Sequence, residues 1–110
     1  MQELTSTQLQ EKINLGENFL LDLYATWCGP CKVMLNNLQR VTDNGMLTES
    51  TNKNNYKIYK FDIDSDREFS VNTLGVRSVP TIKMFKEGKE IYSKPGVMSP
   101  TEVVGLISNN

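Results

Sequence analysis

Seven residues, Phe19-Leu20-Leu21-Asp22-Leu23-Tyr24-Ala25, constrain this chain more than any others. Successive side chains of a strand point to opposite faces, so a strand with one wet face alternates apolar and polar residues. This run does not alternate: apart from Asp22, both of its faces are apolar. Such a strand needs cover on both sides, which predicts a central strand with helices packed above and below its sheet. Asp22 stands inside it where an apolar residue belongs, and a lone buried carboxylate is costly unless it is protonated or paired.

Directly after the run comes Trp27-Cys28-Gly29-Pro30-Cys31-Lys32, which holds the only two cysteines in 110 residues. A pair at this spacing can close a small disulfide, supply half a metal site, or stand unused. Beyond it Met34, Leu35, Leu38 and Val41 recur at helical spacing, predicting a helix from about Cys31 to Thr42. Cys28 then stands at a helix N-terminus, where unpaired N–H groups and the helix dipole favour negative charge. The thiolate is the reactive form of cysteine. Read as a redox dithiol, Cys28 is exposed at the helix end and attacks a substrate disulfide; Cys31, one turn inside, resolves the mixed disulfide. Gly29 leaves backbone room at the turn. Pro30 suits the first helical turn, where a missing N–H costs little.

The metal reading is weaker. Zinc takes four ligands, and with no third cysteine and no histidine only a site shared between two chains would serve. The lack of histidine also removes Cys–His hydrolases and imidazole acid–base catalysis. Whatever tunes Cys28 is a helix terminus, a lysine or a carboxylate.

The remaining elements are marked by their ends. In Leu4-Thr5-Ser6-Thr7-Gln8-Leu9, Thr5 is a cap, Gln8 takes the capping-box position, and Leu4 and Leu9 have staple spacing. Leu9 and Ile13 share a face, and Gly16 marks the stop. Asp43 to Asn55 is polar, Asn-rich and aperiodic, which predicts a long surface loop over the last turns of the preceding helix. Tyr56 to Ile63 reads as a second strand, and Asp66 to Thr73 as a short helical segment ending at Gly75. After Pro80, Thr81 to Lys86 alternates, Glu87-Gly88 supplies a turn, and Lys89 to Ser93 returns as a hairpin partner. Ser99-Pro100-Thr101-Glu102 starts a last helix, with Val103, Leu106 and Ile107 on its buried face. With no repeat and no linker, residues 1–110 read as a single α/β domain.

Trp-Cys-Gly-Pro-Cys-Lys after a strand carrying Asp22, with matching features near Lys60, Val79-Pro80 and Gly96, resembles the thioredoxin family along almost the whole chain. The resemblance implies a thioredoxin fold, a central mixed β-sheet flanked by helices on both faces. It also implies a protein disulfide reductase, since Gly-Pro between the cysteines is typical of the reducing members. Burial should raise the pKa of Asp22 toward neutrality, and the resemblance gives it the role of proton acceptor for Cys31. The plainer reading of Asp22 is a structural hydrogen bond. Lys60 is the implied charge partner of Asp22; taken alone it is equally a solvated strand lysine.

The same resemblance makes Trp27 a flat apolar rim for a docking polypeptide, where its own residue type would also suit a core. It makes Pro80 a cis proline facing the disulfide, with the backbone of Val79 pairing to substrate as an added strand. It puts Gly96 in the substrate groove, where a side chain would obstruct docking; a plain turn glycine is the alternative. Two departures stand out. Asn36 lies where the family commonly has a helix-kinking proline, and the 43–55 segment is longer than the compact pattern.

Composition sets the outer limits. Twelve Lys and Arg against thirteen Asp and Glu give a net charge of −1, without clusters, which argues against nucleic acid or an anionic membrane as primary partner. The N-terminal residues lack a basic region followed by an apolar one, so a cytoplasmic protein is expected. Two cysteines then suggest a reducing compartment. No glycine-rich phosphate motif is present, so no cofactor is expected. The resemblance implies disulfide-bearing protein substrates and a thioredoxin reductase as electron donor, with the chain acting as a monomer. Two other functions fit the same fold: a disulfide oxidase or isomerase, and a redox-independent binding subunit of a larger complex.

Overall fold

The computed structural model describes all 110 residues. Its elements run β1 (Gln2–Glu3), α1 (Ser6–Asn14), β2 (Phe19–Tyr24), α2 (Gly29–Asp43), β3 (Lys57–Asp62), β4 (Thr81–Lys86), β5 (Lys89–Pro95) and α3 (Pro100–Ser108). A tight helical turn over Ile63–Ser65 and a wider one over Phe69–Thr73 lie between β3 and β4. The five strands form one sheet in the order β1-β3-β2-β4-β5. Pairing of β2 with β3 is parallel and with β4 antiparallel, so the sheet is mixed and β2 is its middle strand.

The alternation of β2 divides the core. Leu20 packs with Met34, Leu38 and Val41 of α2 and with Val103 and Ile107 of α3. Phe19, Leu21 and Leu23 face the other way, against Leu9 of α1 and Leu74. All four of these β2 side chains are fully buried, each contributing roughly 1.5–3 kcal/mol relative to exposure. Asp22 shares the α2 face with Leu20, because the two are two residues apart on a strand.

The caps fall where their sequences place them. Thr5 with Gln8 and Ser99 with Glu102 both close reciprocal capping boxes. Other boundaries move. Helix α2 begins at Gly29, not Cys31, and with Asn36 in place of proline it runs fifteen residues without interruption. The second strand ends at Asp62, and Ile63 opens the tight turn. The 44–56 segment is more than a surface loop, since Met46 and Leu47 pack against the α2–α3 core and the Asn52 side chain bonds both backbone groups of Tyr56. Nor does β4 alternate in burial: Thr81 through Phe85 are all buried. Lys83 survives there because its ammonium donates to Glu90 at 2.7 Å and to Ser93 at 3.2 Å, both on β5.

The β4–β5 turn fixes one glycine. Glu87 and Gly88 have φ of 54° and 81°, the pair of positive values that a two-residue hairpin turn of matching twist demands. A Cβ on Gly88 would also lie 2.9 Å from the Ile13 carbonyl oxygen of α1, a backbone atom with little freedom to yield. Gly88→Ala is therefore expected to cost on the order of 1–3 kcal/mol. Urea unfolding reads this as a lower midpoint at an unchanged slope, and an unmoved midpoint would refute it.

Candidate active site

The site is built where β2 hands over to α2. Cys28 is the N-cap of α2, with extended backbone, and its Sγ accepts the Cys31 backbone N–H at 3.2 Å. Pro30 sits in the first turn, where its missing N–H leaves no gap in the helix. Cys28 and Cys31 are joined as a disulfide, with their Cα atoms 5.3 Å apart. The structure is thus the oxidised form.

The expected exposure of Cys28 is corrected: it is only 5% exposed and Cys31 3%. The two sulfurs fold inward with Ala25 under a collar of Tyr24, Ile63 and Val79. Gly29 and Pro30 are exposed beside them. A Cβ on Gly29 would meet nothing within 4 Å, so the chain's own atoms do not require room there.

Trp27 is 69% exposed, on the surface and not in the core. Its indole N–H donates to Asp64 Oδ2 at 2.8 Å, and Asp64 Oδ1 accepts from Arg67 at 3.4 Å. Val79-Pro80 is a cis peptide, with Pro80 buried. The Pro80 carbonyl accepts the Gly96 N–H at 2.9 Å, which ties the β4 entry to the loop after β5. Gly96 has a φ of +97° and open space around it, so its backbone conformation is what favours glycine within the chain.

Within β2, on the sheet face that α2 covers and three residues before Ala25 of the disulfide cluster, lies Asp22. It is fully buried, and neither carboxylate oxygen has a hydrogen-bond partner. Burial pushes its pKa up to about 7, against a smaller opposing pull from the Lys60 charge. Lys60 is the cross-strand neighbour of Asp22 on β3, on the same face of the sheet. It joins none of the three ion pairs, so it acts on Asp22 through space and not by a direct salt bridge. Its ammonium sits 5.7 Å from the centre of the Tyr24 ring, whose hydroxyl donates to Glu3.

Cys28, Cys31, Trp27 and Val79 thus come together at one end of the sheet, with Pro80 and Gly96 linked beside them and the cross-strand pair Asp22 and Lys60 further along the α2 face. Sequence reasoning missed Ile63 and Asp64. The one available signal was Asp62-Ile63-Asp64 closing β3, where the Asp62 side chain accepts the Asp64 N–H and turns the chain toward Trp27.

A sulfur pair at a helix N-terminus, beside an exposed tryptophan and with a buried acid in the preceding strand, defines a dithiol–disulfide exchange protein. The comparisons specify which. A family model described as thioredoxin matches residues 1–109. A thioredoxin of Aspergillus fumigatus is 36% identical over 92 residues, spanning 83% of this chain and 77% of its own length. One from Haemophilus influenzae is 31% identical over 98 residues, 89% of this chain and 84% of that protein. Among solved structures, a Malassezia sympodialis thioredoxin superposes with a TM-score of 0.78 at 27% identity, covering 98% of this chain and 90% of that one. Mitochondrial thioredoxin 3 of Saccharomyces cerevisiae, in oxidised form, gives 0.78 at 26%, covering 100% and 95%. The chain belongs to the thioredoxin family. It is a protein-disulfide oxidoreductase acting as a disulfide reductase, and neither the oxidase nor the binding-subunit alternative is favoured.

Proposed function

We propose that Cys28 is the attacking thiol and Cys31 the resolving one. The observation that carries this is the bond from the Cys31 N–H to the Cys28 sulfur, which caps α2. A thiolate at position 28 receives the same N–H and the positive end of the helix dipole. It attacks one sulfur of a substrate disulfide, breaking that bond, forming a mixed disulfide and releasing the other substrate sulfur as a thiolate. Cys31 then attacks the Cys28 sulfur, forming Cys28–Cys31 and releasing the second substrate thiolate. Two electrons pass to the substrate.

Cys31 must lose a proton for the second step. Asp22 is the acceptor in this reading, since a pKa of about 7 leaves it half ionised at neutral pH. Lys60 keeps the ionised form within reach by opposing the effect of burial. Trp27, Gly29, Pro30, Val79, Pro80 and Gly96 make the docking surface for disulfide-bearing protein substrates. An external thioredoxin reductase recharges the dithiol, and the working compartment is a reducing one such as the cytoplasm.

Cys31→Ser tests the order of events. The variant is expected to accumulate a stable mixed disulfide through Cys28 when mixed with an oxidised protein substrate. Mass spectrometry should find one covalent adduct, released by dithiothreitol. Absence of an adduct, with the substrate reduced catalytically, would remove Cys31 from the resolving role.

A further inference from the structure

Beside Trp27, between it and the 76–79 segment that leads into Pro80, lies a cleft of about 320 Å³. That is the small end of ligand-binding clefts, enough for one or two side chains. Trp27, Ile63, Val71 and Val79 line its apolar part, and Val71 is 62% exposed although nothing in the chain covers it. Its charged members are Asp64, Arg67 and Arg77, the last standing on the ridge between this cleft and a neighbouring one beside Ser93 and Pro95. The nearby acids face elsewhere: Asp62 lines a cleft beside Glu3, and Asp66 and Glu68 one beside Asn72.

Asp64 is already committed, one oxygen to the Trp27 indole and the other to Arg67. Arg77 is exposed and joins none of the three ion pairs. The cleft therefore carries one surplus positive charge on a chain whose net charge is −1. Guanidinium groups favour carboxylates through paired, parallel hydrogen bonds. Arg77 lies two residues before Val79, just before the bend that leads into Pro80, and both residues line the cleft.

We propose that this cleft selects extended substrate segments with a bulky apolar residue and a carboxylate two or three residues from the attacked cysteine, read by Arg77 with Arg67. The inference rests on the docking surface proposed above and names the substrate class that surface prefers. The apolar residue fills the space between Trp27 and Val71, and the carboxylate meets the two guanidinium groups at the rim. Because the rim is exposed, the effect is one of encounter and selectivity, reduced by salt.

The test uses the full chain, reduced and freed of excess reductant, mixed with excess synthetic peptides that carry an intrachain disulfide. The peptides differ only in Glu or Lys at the second and third positions flanking the cysteines. At low salt the Glu peptide is expected to be reduced about fivefold faster, a preference that shrinks toward unity in molar salt. An Arg67→Glu, Arg77→Glu double variant should reverse it. Both residues are exposed, so the fold is not at stake.

If neither peptide is reduced, the thiol-exchange reading itself fails. Should both be reduced equally, or the double variant keep the Glu preference, only the present inference is overturned. A faster Lys peptide would assign the cleft to basic partners through Asp64, again against it. Self-association in sedimentation that Arg77→Glu abolishes would assign the cleft to a second copy of the chain and likewise overturn the proposal.

Discussion

Cys28→Ser is expected to lower disulfide reduction by several orders of magnitude, to the level of the uncatalysed reaction. The hydroxyl that replaces the thiol has almost no ionised form at neutral pH, so no nucleophile stands at the helix end. What makes this variant decisive is that the fold should tolerate it. Serine is a favoured N-cap, and its oxygen can accept the Cys31 N–H that the sulfur now accepts. Compared with the reduced wild type, stability should change by no more than about 1 kcal/mol, whereas comparison with the oxidised form would add the loss of a small cross-linked loop. Insulin-type turbidity assays or thiol release would report the activity, and urea unfolding the stability. Persisting activity in a folded serine variant would remove Cys28 from the reaction.

The second large effect concerns Asp22 and depends on pH. In the unfolded chain its carboxyl ionises near its ordinary value of 3.8, while in the folded protein it holds its proton to about pH 7. Between those values the folded state binds more protons than the unfolded state, so its contribution makes stability fall as pH rises. Below the lower value both states are protonated and the group costs nothing through ionisation. Above the upper value the full cost is present, roughly three units or about 4 kcal/mol.

Asp22→Asn supplies the neutral shape at every pH. Its stability relative to wild type should therefore rise across this interval by about 4 kcal/mol and be level on either side. The same variant should slow the release of substrate from the mixed disulfide, and that step should lose its dependence on pH near neutrality. A stability difference that does not vary with pH would show that Asp22 is ionised in the fold, or paired. Unchanged release would take away its role as proton acceptor.

Both experiments address residues that the sequence marks plainly, and the reason is physical. Phe19 to Ala25 reads as a strand covered on both faces, and within it Asp22 is conspicuous because a buried carboxylate must be protonated or paired. The cysteine pair is legible from its context: the strand before it and the helical spacing of Met34, Leu35, Leu38 and Val41 after it put Cys28 at the start of a helix and Cys31 one turn in. The caps at Thr5 and Ser99 are local events, set within four residues.

What stayed hidden depends on contacts between distant parts. The burial of Cys28 comes from Ile63 and Val79, far along the chain, closing over a sulfur that is terminal only in the helix. Asp64 reads as one acid among several after β3 until the fold carries Trp27 to it. Lys83 breaks the alternation of β4 invisibly, because its partner Glu90 is brought into reach by the register shift between Met84 and Phe85. Met46 and Leu47 are isolated apolar residues in a polar stretch, and isolation carries no periodic signal.

The two unpartnered oxygens of Asp22 have a bearing on how such a chain would evolve or be engineered. A buried carboxyl with no hydrogen bond, ionising only above about pH 7, is a standing liability in the middle strand, relieved by almost any neutral residue of similar size. Selection for heat resistance alone, with no demand for electron transfer, should therefore discard this aspartate early and leave the surrounding leucines untouched. Its retention would be a record of chemistry outweighing robustness at that position.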